Sequence, residues 1–191
     1  MRRSRLALAL LAAGLTAGSA VAAPANYTID PAHTYPSFKA PHMGISFWRG
    51  KFNKSSGKVV LDREARSGTV DITIDATSVD FGHDKMNEHA MSDEFFNVAK
   101  HPTITYTGKF KFEGDTTREV DGELTMLGVT KPVKLDIASF KCVEHRFYKK
   151  EVCGADASAE FNRADFGMKK GADGELGKVR IEIQVEALKD G

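Results

Sequence analysis

The chain is poor in cysteine, in helical periodicity, in charge excess of either sign and in recognisable catalytic motifs. Its 191 residues contain only two cysteines, Cys142 and Cys153, and no C-x-x-C motif that would support a redox-active pair. Basic and acidic residues nearly balance, 27 against 26, and no basic block stands out. Nucleic-acid binding therefore lacks its electrostatic footprint. No G-x-S-x-G, H-E-x-x-H or P-loop sequence occurs, which leaves an enzyme reading without positive support. Beyond the first segment no apolar run is long enough to span a bilayer. There is no internal repeat and no low-complexity tract.

What is present begins with an export signal. Arg2, Arg3 and Arg5 precede an apolar run over residues 6–20, and Ala20-Val21-Ala22 and Val21-Ala22-Ala23 both fit a small-x-small cleavage site. This pattern predicts a signal peptide over 1–22, cleaved after Ala22 or Ala23, and a single exported domain over 23–191. No cysteine stands near the cleavage site to carry a lipid anchor. Loss of the three arginines turns the formal charge from +1 to −2. In an oxidising compartment two cysteines pair as a disulfide more often than they bind metal. Cys142 and Cys153 are expected to do so, across a hairpin or a long loop.

The exported part reads as strand after strand. Period-2 alternation is clearest over 69–75 (Val70, Ile72, Ile74), 103–112 (Ile104, Tyr106, Phe110, Phe112), 155–161 (Ala155, Ala157, Ala159, Phe161) and 179–186 (Val179, Ile181, Ile183, Val185). Shorter strands are expected over 27–30, 34–40 with a bend at Pro36, 44–52, 57–62 and 120–126, and a longer one over 129–140. Alternation of this kind marks antiparallel strands with one dry and one wet face. Eight or more of them with short connections predict an all-β sandwich or an eight-stranded antiparallel barrel. The small side chains of Ala155, Ala157 and Ala159 leave room on one face. A barrel of eight strands is wide enough to hold one small ligand, although large side chains opposite would fill the same room.

One stretch departs from this pattern. Residues 83–102, HDKMNEHAMSDEFFNVAKHP, are rich in helix formers and carry no glycine. Met86 and Ala90 are spaced for a turn or two of helix over 84–91. Ser92 is placed to cap another that starts at Asp93-Glu94, and Pro102 ends the stretch. Among the six histidines the nearest pair, His83 and His89, is six apart, a spacing that aligns on neither a helix nor a strand face, so no metal site is assigned. Asp30 with His33 and Arg163 with Asp165 are candidate structural ion pairs. The methionines and aromatics suit an adaptable apolar cavity. Phe38, Met43, Phe47, Trp48, Phe81, Met86, His89, Phe95, Phe96, Phe110, Met126 and Phe161 are the candidate ligand contacts. No residue is assigned a catalytic role.

Several short motifs, in order and at fixed spacing, resemble those of the YceI-like family of bacterial periplasmic polyisoprenoid-binding proteins. They are Tyr27-x-Ile29-Asp30-x-x-His33-Thr34, His42-x-Gly44-Ile45-Ser46, Gly50-Lys51-Phe52 and Ser78-Val79-Asp80. His89, Ser92 and Phe95-Phe96-Asn97-Val98-Ala99-Lys100-His101-Pro102 follow. The series continues with Gly122-Glu123-Leu124-Thr125, Gly128-Val129-Thr130-Lys131-Pro132-Val133 and Arg163-Ala164-Asp165-Phe166-Gly167. The resemblance implies a lipocalin-like barrel around an apolar tunnel, with a helical segment near its mouth. It implies a bound polyprenyl chain, carried by a pyrophosphate or a quinone, and no catalytic cofactor.

The family's R-D-x-H-L motif stands here as Met86-Asn87-Glu88-His89-Ala90. A pyrophosphate head favours Arg or Lys, so Met86 in place of Arg favours an uncharged head group. The cysteine pair resembles that of a subgroup associated with quinones. The expected ligand is therefore an isoprenoid quinone such as ubiquinone-8, held by a periplasmic carrier that contacts membranes transiently. The resemblance also brings a homodimer into consideration. The competing readings are an enzyme acting on such a lipid and a stress-related periplasmic scaffold with a filled barrel.

Overall fold

A computed structural model describes residues 23–191; the expected signal peptide, 1–22, lies outside the described residues. Twelve strands form one antiparallel sheet. They are β1 (Ala25–Ile29), β2 (Tyr35–His42), β3 (Ser46–Phe52), β4 (Ser55–Asp62), β5 (Ser67–Asp75), β6 (Val79–Asp80), β7 (Thr103–Glu113), β8 (Thr116–Met126), β9 (Val129–Pro132), β10 (Leu135–His145), β11 (Lys150–Asn162) and β12 (Lys178–Lys189). The order β1-β4-β5-β7-β8-β10-β11-β12 closes on itself because β12 also pairs with β1, through Tyr27 opposite Lys189. The result is a closed eight-stranded barrel, one of the two architectures that the alternation allows and the one that the family resemblance implies. One helix, α1 (Asp84–Met91), and short 3-10 turns complete it. No helix among the described residues is long and apolar enough to cross a membrane.

The barrel changes character at one end. β12 pairs with β1 near its C-terminus and with β2 near its N-terminus, so β1 and β2 form one stave broken at 30–34. The break follows from local chemistry. Pro31 interrupts the strand, the Asp30 carboxylate accepts the Ala32 N–H at 2.9 Å, and Asp30 bonds the His33 ring at 2.7 Å. Pro36 lies one residue before the β2–β3 ladder begins at Ser37, where its missing N–H interrupts no bond to β3. β3 and β4 are broken in the same way at 53–54, and β6 continues β5 by pairing with β3. β6 does not pair with β7, so the wall parts there. Residues 81–102, including α1, occupy the gap, tied to the wall by Ala76 N donating to Pro102 O at 2.9 Å.

Two local expectations are corrected. Residues 129–140 form two strands, β9 ending at Pro132 and β10 starting at Leu135, although both pair with β8 in one register that Val133 N, donating to Gly122 O at 2.9 Å, carries across the interruption. Ser92 ends α1 instead of starting a second helix. Its hydroxyl donates to His89 O at 2.7 Å, and Phe96 N reaches back to Ala90 O at 3.0 Å, coiling 92–101 into successive turns. The N-cap of α1 is His83, in extended backbone. Cys142 and Cys153 face each other across the β10–β11 hairpin and are bonded, with Cα atoms 4.0 Å apart.

Candidate functional site

The inward side chains of all eight staves surround a cavity of about 620 Å³. The size falls within the range of small-molecule sites, roughly 300–1,000 Å³. Ala155 and Ala157 border it, so the room they leave stays open instead of being filled from across the barrel. Ile72, Ile74, Leu124, Leu135, Ile137, Ile181 and Ile183 make up much of the wall.

The cavity is closed at one end. There Tyr27, Leu61, Cys153 and Ala187 are buried. The Tyr27 hydroxyl donates to Glu151 Oε1 at 2.6 Å, and Arg63 donates to both Glu151 Oε2 at 3.1 Å and the Tyr27 oxygen at 3.2 Å. Burial, and then the Glu151 carboxylate, push the Tyr27 hydroxyl up to about 12. At the other end the lining residues His42, Met43, Met86, His89, Lys170 and Gly171 are partly or fully exposed, and this is the mouth. Just inside it stands a collar of rings. Phe38 contacts Phe52, Phe81 and Phe96 at centroid distances of 5.6, 5.5 and 6.1 Å, and Trp48 contacts Phe81 at 6.0 Å.

Of the candidate contacts, Phe38, Met43, Trp48, Phe81, Met86, His89, Phe95, Phe96, Phe110, Met126 and Phe161 all line this one cavity. Phe47 does not. On β3 the residues Trp48, Gly50 and Phe52 point inward, so Phe47 points out and is 53% exposed. Asp30 and His33 pair as expected. Arg163 does not pair with Asp165. It is buried, and its two terminal nitrogens donate to the carbonyls of Lys170 and Gly171 at 2.9 and 2.7 Å, while Nε has no partner among the described residues. Its guanidinium lies 6.0 Å from the Phe95 ring centroid, and burial lowers its affinity for the proton. Arg163 thus holds the 170–171 rim of the mouth in place.

Lys170 is a further mouth residue that the sequence reading missed. Its ammonium pairs with Glu94, which also bonds the His89 ring at 2.9 Å. Hydrogen bonds from Lys170 and then from His89 hold the Glu94 carboxyl below its ordinary value. This link joins α1, the turn after it and the 170 rim across the opening. A different trio, Asp30, His33 and Glu186, places one ligand atom each within 4.8 Å of the others. It lies at the stave break, and Asp30 and His33 already satisfy each other.

A family model described as the YceI-like domain matches residues 27–187. The chain belongs to the YceI-like family. It is 33% identical over 192 residues to the protein YceI of Escherichia coli, covering 98% of each chain. It is 38% identical over 138 residues to a UPF0312 protein of Pectobacterium atrosepticum, covering 71% of each. Among solved structures it resembles Burkholderia cenocepacia BcnA, with a TM-score of 0.67 and 22% identity over 83% of this chain and 98% of that one. It also resembles a polyisoprenoid binding domain from Saccharophagus degradans implicated in plant cell wall breakdown. That TM-score is 0.60, with 16% identity over 86% of this chain and 98% of that one. At these identities the structural likenesses establish the shared barrel.

Proposed function

We propose that this YceI-like chain is a periplasmic carrier that holds the tail of an isoprenoid lipid, an isoprenoid quinone in preference to a polyprenyl pyrophosphate. The observation that carries the reading is the cavity itself, open at one end, sealed at the other and walled almost wholly by hydrocarbon. The polyisoprenoid-binding domain among its structural relatives supports the choice of lipid class. An apolar chain of about forty carbons gains roughly 30 kcal/mol gross on leaving water, at ~0.8 kcal/mol per CH₂. Net affinities saturate well below that. The working competitor is a bilayer of equal apolarity, so the carrier exchanges its ligand at a membrane through the mouth.

The quinone preference rests on the mouth. Met86 lines the cavity in the segment where the family's R-D-x-H-L motif has Arg. The two cations that line the cavity are engaged, Lys170 by Glu94 and Arg163 by two carbonyls. An uncharged head group leaves those contacts intact. Cleavage after Ala22 or Ala23 and release into the periplasm belong to the same proposal, as does the absence of catalysis.

The test is lipid extraction and mass spectrometry of the protein purified from the periplasm of a Gram-negative host, with its amino terminus sequenced. Isoprenoid quinone at near-stoichiometric level is the expected result. Recovery of polyprenyl phosphates alone overturns the quinone preference, and recovery of no isoprenoid overturns the carrier. Met86→Arg is expected to shift the bound pool toward anionic head groups.

A further inference from the structure

We propose that the β2–β3 turn is a membrane-docking tip, in which Ile45, Phe47 and Met43 enter the headgroup region of an anionic bilayer while Lys39 and Arg49 meet its phosphates. The inference deepens the carrier reading, since it names the surface through which the cavity meets its lipid source.

The tip is apolar where solubility would favour polar residues. Met43, Ile45 and Phe47 are 76%, 81% and 53% exposed within five residues of one another. Met43 also has a left-handed backbone, with φ 54°, followed by Gly44 at φ 73°. Turns of this kind favour Asn, Asp or Gly, and a long side chain in that conformation is uncommon. Leu127 before Gly128 shares this conformation, so what distinguishes Met43 is its exposure.

The two strands of the tip carry charge of one sign. From Tyr35 to Phe52, through β2, the turn and β3, the sequence contains no Asp or Glu, whereas Lys39, Arg49 and Lys51 fall within it. Lys39 and Arg49 stand opposite each other across β2 and β3, whereas Arg180 of β12, opposite Lys39 on its other side, is engaged by Glu182 at 3.0 Å. The Lys39 ammonium lies 5.9 Å from the Phe47 ring centroid, so the charge borders the apolar tip directly. Acids at this end of the barrel lie on other elements, among them Asp84 and Glu88 on α1, Glu94 paired with Lys170, Glu182 paired with Arg180, and Asp173 and Glu175 before β12, where Glu175 pairs with Lys178. An apolar wedge backed by basic residues is the arrangement that binds anionic lipid surfaces.

The tip is also continuous with the mouth. Ala40, Pro41, His42 and Met43 line the cavity, while Ile45 and Phe47 stand clear of it. A second exposed cluster, Val143, Phe147 and Tyr148, lies at the sealed end, and there Tyr148 stacks on His145 at 4.5 Å. That cluster has no access to the cavity and serves as the internal control.

The experiment is flotation of the purified mature protein with vesicles of phosphatidylglycerol and phosphatidylethanolamine, against vesicles of phosphatidylcholine. Lipid extraction and size-exclusion chromatography of the same samples run in parallel. The wild-type protein is expected to float with the anionic vesicles, less so as salt is raised. Both Ile45→Ser/Phe47→Ser and Lys39→Gln/Arg49→Gln should weaken this by about tenfold or more, and Val143→Ser/Phe147→Ser should not. Co-purified lipid should persist in the Ile45→Ser/Phe47→Ser variant. Equal flotation of that variant and the wild type, or no flotation of either, overturns the proposal. So does a change confined to oligomeric state, which would make the tip a contact between two copies. Vesicle binding by a protein that carries no isoprenoid would keep the docking tip and remove the carrier reading.

Discussion

The Tyr27 hydroxyl donates to Glu151 Oε1 at 2.6 Å and so joins β1 to β11 across the sealed end of the cavity. Arg63 on the other side of the pair keeps the carboxylate charged. The Tyr27 hydroxyl is raised to about 12 by burial and by Glu151, whereas in an unfolded chain it ionises near 10. Its contribution to stability is therefore complete below about pH 10 and is lost as pH rises through the folded value. Glu151→Gln is expected to lower the Tyr27 value only part of the way, since burial remains. Ultraviolet titration of the phenolate in the two proteins measures the shift. Tyr27→Phe should cost about 1–3 kcal/mol in urea unfolding.

Tyr106 and Gly122 make a second pair whose fit is testable. Tyr106 extends over Gly122 on the neighbouring strand, and its hydroxyl donates to Val133 O at 2.9 Å. A Cβ at Gly122 would lie 2.3 Å from the Tyr106 oxygen and 2.6 Å from the Thr107 carbonyl. The ring therefore fills the space that a side chain at 122 would take. Gly122→Ala should destabilise by about 1–3 kcal/mol through overpacking. Tyr106→Leu/Gly122→Ala should cost less than the sum of the single changes. Additive losses in chemical denaturation would show that the ring is not what excludes Ala.

How much of this was legible in the sequence depended on whether the deciding contact was local. The alternation at Val179, Ile181, Ile183 and Val185 is a property of one strand, and β12 carries it inward along the whole ladder with β11. The same parity would have separated Trp48 from Phe47, because Trp48 shares it with Phe52, but hydrophobicity alone selects both. Ser92 has the chemistry of a helix start and of a helix end. What decides is Phe96 folding back on Ala90, which brings Phe95 and Phe96 to the cavity wall. Arg163 was visible as part of a motif, yet nothing in a sequence marks an arginine as buried against carbonyls that follow it by seven and eight residues. Lys170 belonged to no motif at all, and its place at the mouth is set by that arginine.

The disulfide makes a prediction about stability rather than chemistry. Cys142 and Cys153 are separated by 11 residues on adjacent strands that pair on both sides of the bond. The bond restricts the unfolded chain, by about 3 kcal/mol in the chain-entropy model. Cys142→Ala/Cys153→Ala should lower unfolding stability by about that amount with unchanged far-ultraviolet circular dichroism. A large loss of strand signal in the variant would show that the hairpin needs the bond in order to form.

The break between β1 and β2 should respond to pH through Asp30 and His33. The His33 ring, bonded to Asp30 at 2.7 Å, is raised above its ordinary value by that hydrogen bond and by the carboxylate's charge. Burial alone would raise Asp30. The hydrogen bonds from His33 and Ala32 N outweigh it and hold the carboxyl below its ordinary value. The His33 contribution is therefore complete below about pH 6.5 and is lost as pH rises through the raised value. The Asp30 contribution is present above about pH 4 and is lost as pH falls through the lowered one. The turn at 30–34 should be best held between those limits. A nuclear magnetic resonance titration of the ring should place His33 above a free histidine in the wild type and return it toward about 6.5 in Asp30→Asn. An unchanged His33 titration in that variant would mean that the pair does not set the break.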